Sequence, residues 1–226
     1  YGEDLLGVWP VGNEEKWGRL CGLLPPHTVG RFYEDFYQIL ADAGVDGVKV
    51  DNQALLESVA ENLGGRTRLV DAYRSAFETA AEKHFGRWVV NCMCHNNETF
   101  TRMRKSVLMR SSEDYLPNDA ASHVPHVRTN ALLSLWLERF GHPDWDLFFS
   151  DHPWAAYHAA ARALSGGPVY VADPPGRHDP ALLRQLTYPD GFVPLCDGPA
   201  LPGPRSLFAH PHEEPTRIFN RAGERA

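Results

Sequence analysis

The chain has 226 residues, 43% of them hydrophobic and 23% charged, which is ordinary globular composition and excludes wholesale disorder. Its net charge of -7 offers no basic face for phosphates, so nucleic-acid binding is not expected. No window approaches the roughly 18–20 apolar residues of a membrane span, and no basic region leads into an apolar stretch as in a signal peptide. Cys21, Cys92, Cys94 and Cys196 form no C-x-x-C pair, so the expectation is a reduced, cytoplasmic protein with buried thiols and with neither metal nor cofactor.

Two periods alternate along the chain. Gly7-Val8-Trp9 is a short apolar piece ending at Pro10. From Val29 to Ala43 a helical stripe runs through Val29, Phe32, Phe36, Ile39, Leu40 and Ala43, with Gly44 as its stop. Val45 to Asp51 is strand-like. Gln53 to Leu63 predicts a short helix closed by Gly64-Gly65, and Thr67 to Phe85 a longer one with Leu69, Tyr73, Phe77 and Ala80 on one face. Trp88 to Cys92 is the next strand, Glu98 to Arg104 a weak helix, and Val107 to Arg110 another strand. Val124 to Phe140 predicts a helix ending at Gly141, and Asp146 to Phe149 a strand. Trp154 to Leu164 is an Ala-rich helix stopped by Gly166-Gly167; Pro168 to Ala172 is a last strand and Ala181 to Leu186 a last helix. Beyond Tyr188 prolines crowd in and no helical period survives.

Strands alternating with helices imply right-handed crossovers and a parallel sheet. A doubly wound sheet and a (β/α)8 barrel both fit, but no Gly-rich phosphate fingerprint follows any strand. Polar residues do recur at the C-terminal strand ends: Asp51, Asn91 with Cys92, Arg110 and Asp173. In a barrel those ends form the active-site mouth. With six strand-like runs, the chain reads as an α/β, N-terminally truncated (β/α)8 TIM barrel over residues 1–187. Residues 188–226 then form a Pro-rich linker or the beginning of a C-terminal β domain.

Three places could carry chemistry. Lys49 and Asp51, two apart on a strand, share a face; the lysine would hold the carboxylate ionised as a nucleophile, or the two form a plain salt bridge. Arg110-Ser111-Ser112-Glu113-Asp114 sets two repelling acids after a strand, where one could keep a proton and act as general acid, or the segment is a solvated turn. In Asp144-Trp145-Asp146 an indole between acids suits a sugar, or it is a buried Trp between capping aspartates. His95, His123, His126, His152 and His158 invite a metal-dependent hydrolase, yet no H-E-x-x-H and no His-x-His on a strand occurs, and G-x-S-x-G is missing too. Two acids at the ends of different strands are the pattern of glycoside hydrolysis.

The segment from Gly44 to Gln53, GVDGVKVDNQ, resembles the nucleophile strand of the raffinose synthase and seed imbibition protein family, in the alkaline α-galactosidase branch of glycoside hydrolase family 36. The resemblance continues through Cys92-Met93-Cys94-His95-Asn96, Arg110 to Tyr115, Pro143 to Phe148, Tyr157-His158 with Ala160 to Ala163, and Pro189-Asp190-Gly191. It implies a retaining α-galactosidase or α-galactosyltransferase on a (β/α)8 barrel, with an α-galactoside oligosaccharide as its partner. Asp51 would be the nucleophile and Asp114 the acid/base, their carboxyls about 5–5.5 Å apart. Lys49, Arg110, Asp144, Trp145, Asp146 and Cys92 would line the sugar site. The family usually carries two aspartates where this chain has Glu113-Asp114, and the strand whose aspartates grip galactose is missing. A non-catalytic sugar-binding barrel of the same descent is the alternative.

Overall fold

The computed structural model describes residues 8–9, 21–60, 64–86, 88–210 and 214–223. The chain forms two compact units, Tyr1–Val107 and Leu108–Ala226. Each contains a parallel pair of strands with helices, so the architecture is α/β.

In the first unit β1 (Val8–Trp9) pairs antiparallel with β2 (Cys21–Gly22). Helix α1 (Val29–Asp42) leads to β3 (Val48–Val50), a short α2 (Leu55–Ser58), α3 (Arg66–Phe85), β4 (Val89–Asn91) and α4 (Asn97–Phe100). β3 and β4 are parallel, with Val48 opposite Val89 and Val50 opposite Asn91. Helix α1 matches its expected span, but its buried face is turned. Tyr37 is buried and Tyr33, Leu40 and Ala41 pack with it on Phe77, Ala80, Ala81 and Phe85 of α3, while Ile39 is 65% exposed. A tyrosine ring brings as much apolar area as a phenylalanine, which a stripe counted on aliphatics and Phe misses. Helix α2 is shorter than expected, and the expected end at Leu63 lies outside the described residues.

In the second unit β5 (Leu108–Arg110) is followed by α5 (His123–Leu137), β6 (His142–Asp144), α6 (Ala155–Ser165) and α7 (Pro180–Leu183), the last extended by a 3-10 turn over Arg184–Leu186. β5 and β6 are parallel, with Leu108 opposite His142 and Arg110 opposite Asp144. The strand expected at Asp146–Phe149 is displaced. The extended run is His142–Asp144, and Asp146 ends it by adopting φ +70°. Beyond it Phe148 makes an isolated parallel bridge to Val171, which is what the expected strands at 146–149 and 168–172 amount to. The apolar run there is core without being a regular strand: Phe148 packs with Tyr115 and Ala159.

Described residues of the Pro-rich C-terminal stretch pack within this unit. β7 (Leu201–Pro202) and β8 (Ile218–Phe219) form an antiparallel pair. Ala200, fully buried, joins Val127, Ala131, Trp145 and Ala161, and Asn220 donates to the carbonyls of Leu164 and Gly198 at 2.6 Å each. This close seat explains Gly166. It caps α6 at φ +75°, and a Cβ there would lie 1.9 Å from the Gly198 carbonyl oxygen. Gly176 has a similar φ of +78° but open space around it. Gly176→Ala should therefore cost only the left-handed penalty, about 1–2 kcal/mol. Gly166→Ala adds a backbone clash and should cost at least about 3 kcal/mol. Urea unfolding of the two variants checks this; equal losses would contradict it.

Candidate active site

In the first unit the strand alternation holds. Val48 and Val50 pack towards α1 and α3, which leaves Lys49 on the other face, exposed. Asp51 follows immediately after β3 and is exposed, its Oδ1 accepting the Asn52 N–H at 2.7 Å. Asn52 has φ +57°, the left-handed conformation that Asn tolerates best among residues with a Cβ. Lys49 and Asp51 line an open cleft of about 440 Å³ with Phe32, Phe36 and Val45. Cys92 is buried, and its N–H donates to the Val50 carbonyl at 2.8 Å, so it ties β4 to the strand that carries Asp51. Cys94 is buried as well, and burial pushes its thiol up to about 12.

In the second unit four predicted residues converge. Arg110 is 4% exposed at the end of β5. One arm of its guanidinium reaches Asp146 Oδ1 at 2.7 Å and the other donates to Asp114 Oδ1 at 2.8 Å. Of the two neighbouring acids it is Asp114 that Arg110 engages, and the Asp114 side chain is 80% exposed. Asp146 is saturated. Its Oδ2 accepts the Tyr115 N–H at 2.8 Å, its N–H donates to Asp144 Oδ1 at 3.0 Å, and its carbonyl accepts from Arg162 Nε at 3.1 Å. Asp144 is fully buried and accepts from the Tyr170 hydroxyl at 2.8 Å. Burial pushes its carboxyl up, while the Tyr170 and Asp146 donors pull it back.

Two expectations need correction. Trp145 is fully buried among Val127, Ala131, Ala161 and Ala200, so its ring has no open face for a sugar. Asp144 and Asp146 are likewise closed off, their oxygens spent on protein donors. Asp146 holds Arg110 and the Tyr115 N–H, and Asp144 holds the Asp146 N–H in turn. Asp146 leaves the extended conformation at φ +70°, a turn that a strand reading of 146–149 does not foresee.

Beneath this lies a group that sequence reasoning missed. Arg162 on α6 is fully buried. It donates to the Asp146 and Leu147 carbonyls at 3.1 Å each, to His158 Nδ1 at 2.7 Å and to His126 Nε2 at 2.9 Å. Burial pulls its own group down to about 10. Burial, then the Arg162 charge, pulls His126 down to about 4 and His158 to about 3, so both rings are neutral at neutral pH. A neutral His158 that accepts at Nδ1 carries its proton on Nε2, which faces His123 Nδ1 at 2.8 Å. The histidines are thus partners of an arginine. The visible signal was the i,i+4 spacing of His158 and Arg162.

Carboxylates and a guanidinium gathered just past the carboxyl ends of parallel strands define an α/β protein of the class that builds its sites on strand ends. The family described as raffinose synthase or seed imbibition protein Sip1 matches residues 18–221, and the chain belongs to it. It is 44% identical over 191 residues to probable galactinol–sucrose galactosyltransferase 6 of Arabidopsis thaliana, covering 84% of this chain and 26% of that protein. It is 40% identical over 203 residues to galactinol–sucrose galactosyltransferase of Pisum sativum (84% and 25%) and 34% identical over 220 residues to stachyose synthase of Pisum sativum (89% and 25%). The chain spans about a quarter of the length of the curated relatives it matches. Among solved structures it resembles TtGalA, alpha-galactosidase from Thermus thermophilus in complex with stachyose, with a TM-score of 0.51 and 17% identity over 74% of this chain and 39% of that one. That likeness is one of fold.

Two outcomes follow from this chemistry. His126 and His158 have folded values below the ordinary 6.5, so they contribute stability above that pH and lose it as pH falls towards about 4 and about 3. Asp144, shifted up, works in the opposite sense but is one group against two. The urea midpoint should be level between about pH 7 and pH 8 and fall steadily below about pH 6; a midpoint that holds or rises down to about pH 4.5 contradicts the neutral-histidine assignment. Tyr170→Phe should destabilise by about 1–3 kcal/mol, because it leaves a buried carboxylate short of a donor; a loss under about 0.5 kcal/mol in the same assay would show that the hydroxyl is dispensable.

Proposed function

We propose that the protein containing this chain is a retaining α-galactosidase or α-galactosyltransferase acting on raffinose-type α-galactosides through a galactosyl-enzyme. What supports the reading most is the placement of Asp51 and Asp114, in a member of this family. Each stands just past the carboxyl end of a parallel strand, exposed, on a base of buried polar residues. In this reading residues 1–187 are part of a (β/α)8 barrel and residues 188–226 lead into a β domain.

Asp114 protonates the glycosidic oxygen as the bond to the anomeric carbon breaks, and Asp51 attacks that carbon from the opposite face, giving a β-galactosyl ester. Asp114 then takes the proton of water or of an acceptor hydroxyl, which displaces Asp51 and restores the α configuration. Lys49 stabilises the ionised nucleophile and meets a sugar hydroxyl. Arg110 orients Asp114, with Asp144 and Asp146 working from below and Cys92 in the floor. The names of the plant relatives point to galactinol as donor and sucrose as acceptor. Free, buried Cys92 and Cys94 suit a reducing compartment, and the proposed location is the cytoplasm. No described helix is long and apolar enough to cross a membrane.

The test uses the full-length protein with an α-galactoside, with and without sucrose, and reads the anomeric configuration of the first product by NMR. The α anomer, or a sucrose adduct, is expected. Asp51→Asn should remove turnover, and Asp114→Asn should lower it by about 10²–10⁴-fold. A first-formed β-galactose would overturn double displacement. Galactoside binding without turnover, unchanged in Asp51→Ala, would favour the sugar-binding barrel.

A further inference from the structure

We propose that Gln53 is a positioning residue for Asp51, held in its working orientation by Arg74; this rests on the reading of Asp51 as nucleophile. Gln53 does not reach for substrate. It is 5% exposed and lies in the turn that follows Asp51. Its amide nitrogen donates to the Val50 carbonyl at 2.9 Å and to Asn91 Oδ1 at 3.0 Å, and its carbonyl oxygen accepts from Arg74 Nη1. Asp51 therefore sits between a residue whose carbonyl is pinned by Gln53 and one whose backbone is left-handed.

The anchor is a closed ring of side chains. Arg74, 1% exposed on α3, also donates to Glu78 through Nη2 and lies over the Phe77 ring at 4.9 Å. Glu78 accepts from Ser106 Oγ at 2.9 Å. Asn91 Nδ2 donates to that same Oγ at 3.2 Å, and Asn91 Oδ1 returns to Gln53. The ring binds the turn after β3, the end of β4 and α3 into one object. The Ala54 N–H on the Met93 carbonyl at 2.7 Å adds a backbone tie between the same two turns.

The chemistry requires an amide at position 53. One group must donate to a carbonyl and an amide oxygen while it accepts from a guanidinium, and an ionised carboxylate has no donor to offer. A nucleophile set even about 1 Å out of line loses roughly 100-fold in rate without losing the sugar's ground-state contacts.

The full-length protein with p-nitrophenyl α-galactoside supplies the test. Gln53→Glu and Gln53→Met should lower kcat about 100-fold, while the inhibition constant of galactose stays within about threefold on that same view. Arg74→Lys, which keeps the charge and releases the Gln53 carbonyl, should show the same split more weakly and stands in if the Gln53 variants fail to fold. Ala80→Gly, elsewhere on α3 in the apolar cluster, provides a destabilised control expected to keep its kcat. Gln53 variants with wild-type kcat, or with kcat and galactose affinity lost in parallel as in a merely weakened fold, overturn the proposal. Asp51→Gly with azide separates the two levels. Loss of turnover with azide-dependent formation of β-galactosyl azide supports the nucleophile, so that wild-type behaviour at Gln53 then refutes the positioning role alone; an Asp51→Gly protein that still turns over normally refutes both.

Discussion

A carboxylate taken out of water has to be given donors in return, and the second unit is organised around meeting that demand at Asp146. Arg110 and Tyr115 supply its oxygens, and Arg162 grips its carbonyl. The same bonds fix the left-handed turn at Asp146, which costs energy that an isolated loop would relax. Arg110 is the exit of this arrangement. It shares its guanidinium between a buried acid and the exposed Asp114, so the orientation of a surface carboxylate is dictated from inside the protein.

The two units repeat this logic independently. In each, an arginine on a helix is buried beneath a strand end: Arg74 below the turn of Asp51, Arg162 below the loop of Asp146. Each lies near a phenylalanine, Phe77 at 4.9 Å and Phe148 at 5.9 Å, and each spends its donors on groups that shape backbone. Arg74 balances its charge with Glu78, whereas Arg162 is surrounded by carbonyls and imidazoles that must remain neutral to accept from it. A buried, hydrogen-bonded base under an exposed acid is what preorganisation means in structural terms.

Much of this was legible in the residues. The long helices at 29–42, 66–85 and 155–165 declare themselves through apolar spacing and glycine stops, and the Lys49–Asp51 alternation follows from strand geometry. The resemblance marked Asp51, Arg110 and Asp114 as neighbours of strand ends, where they stand. What escaped was decided by contacts distant in sequence. The burial of Trp145 depends on Ala200, and the end of β6 depends on the turn at Asp146 rather than on the apolarity of Phe148. Gln53 reads as an unremarkable polar residue until Asn91, 38 positions away, is brought to its amide. Hydrogen-bond partners of that kind have no local period to betray them.

The interior of the second unit is unusually rich in polar groups. Arg110, His123, His126, Asn130, Ser134, Asp144, Asp146, His158 and Arg162 are buried beside a modest set of apolar side chains. Apolar surface exposed on unfolding raises the heat capacity and polar surface lowers it. The unit should therefore unfold with a heat-capacity increment below the ordinary roughly 12–15 cal/mol/K per residue. Its free-energy curve is correspondingly flat, changing little between cold and warm conditions, so the seat of Asp114 keeps its shape across a broad thermal range.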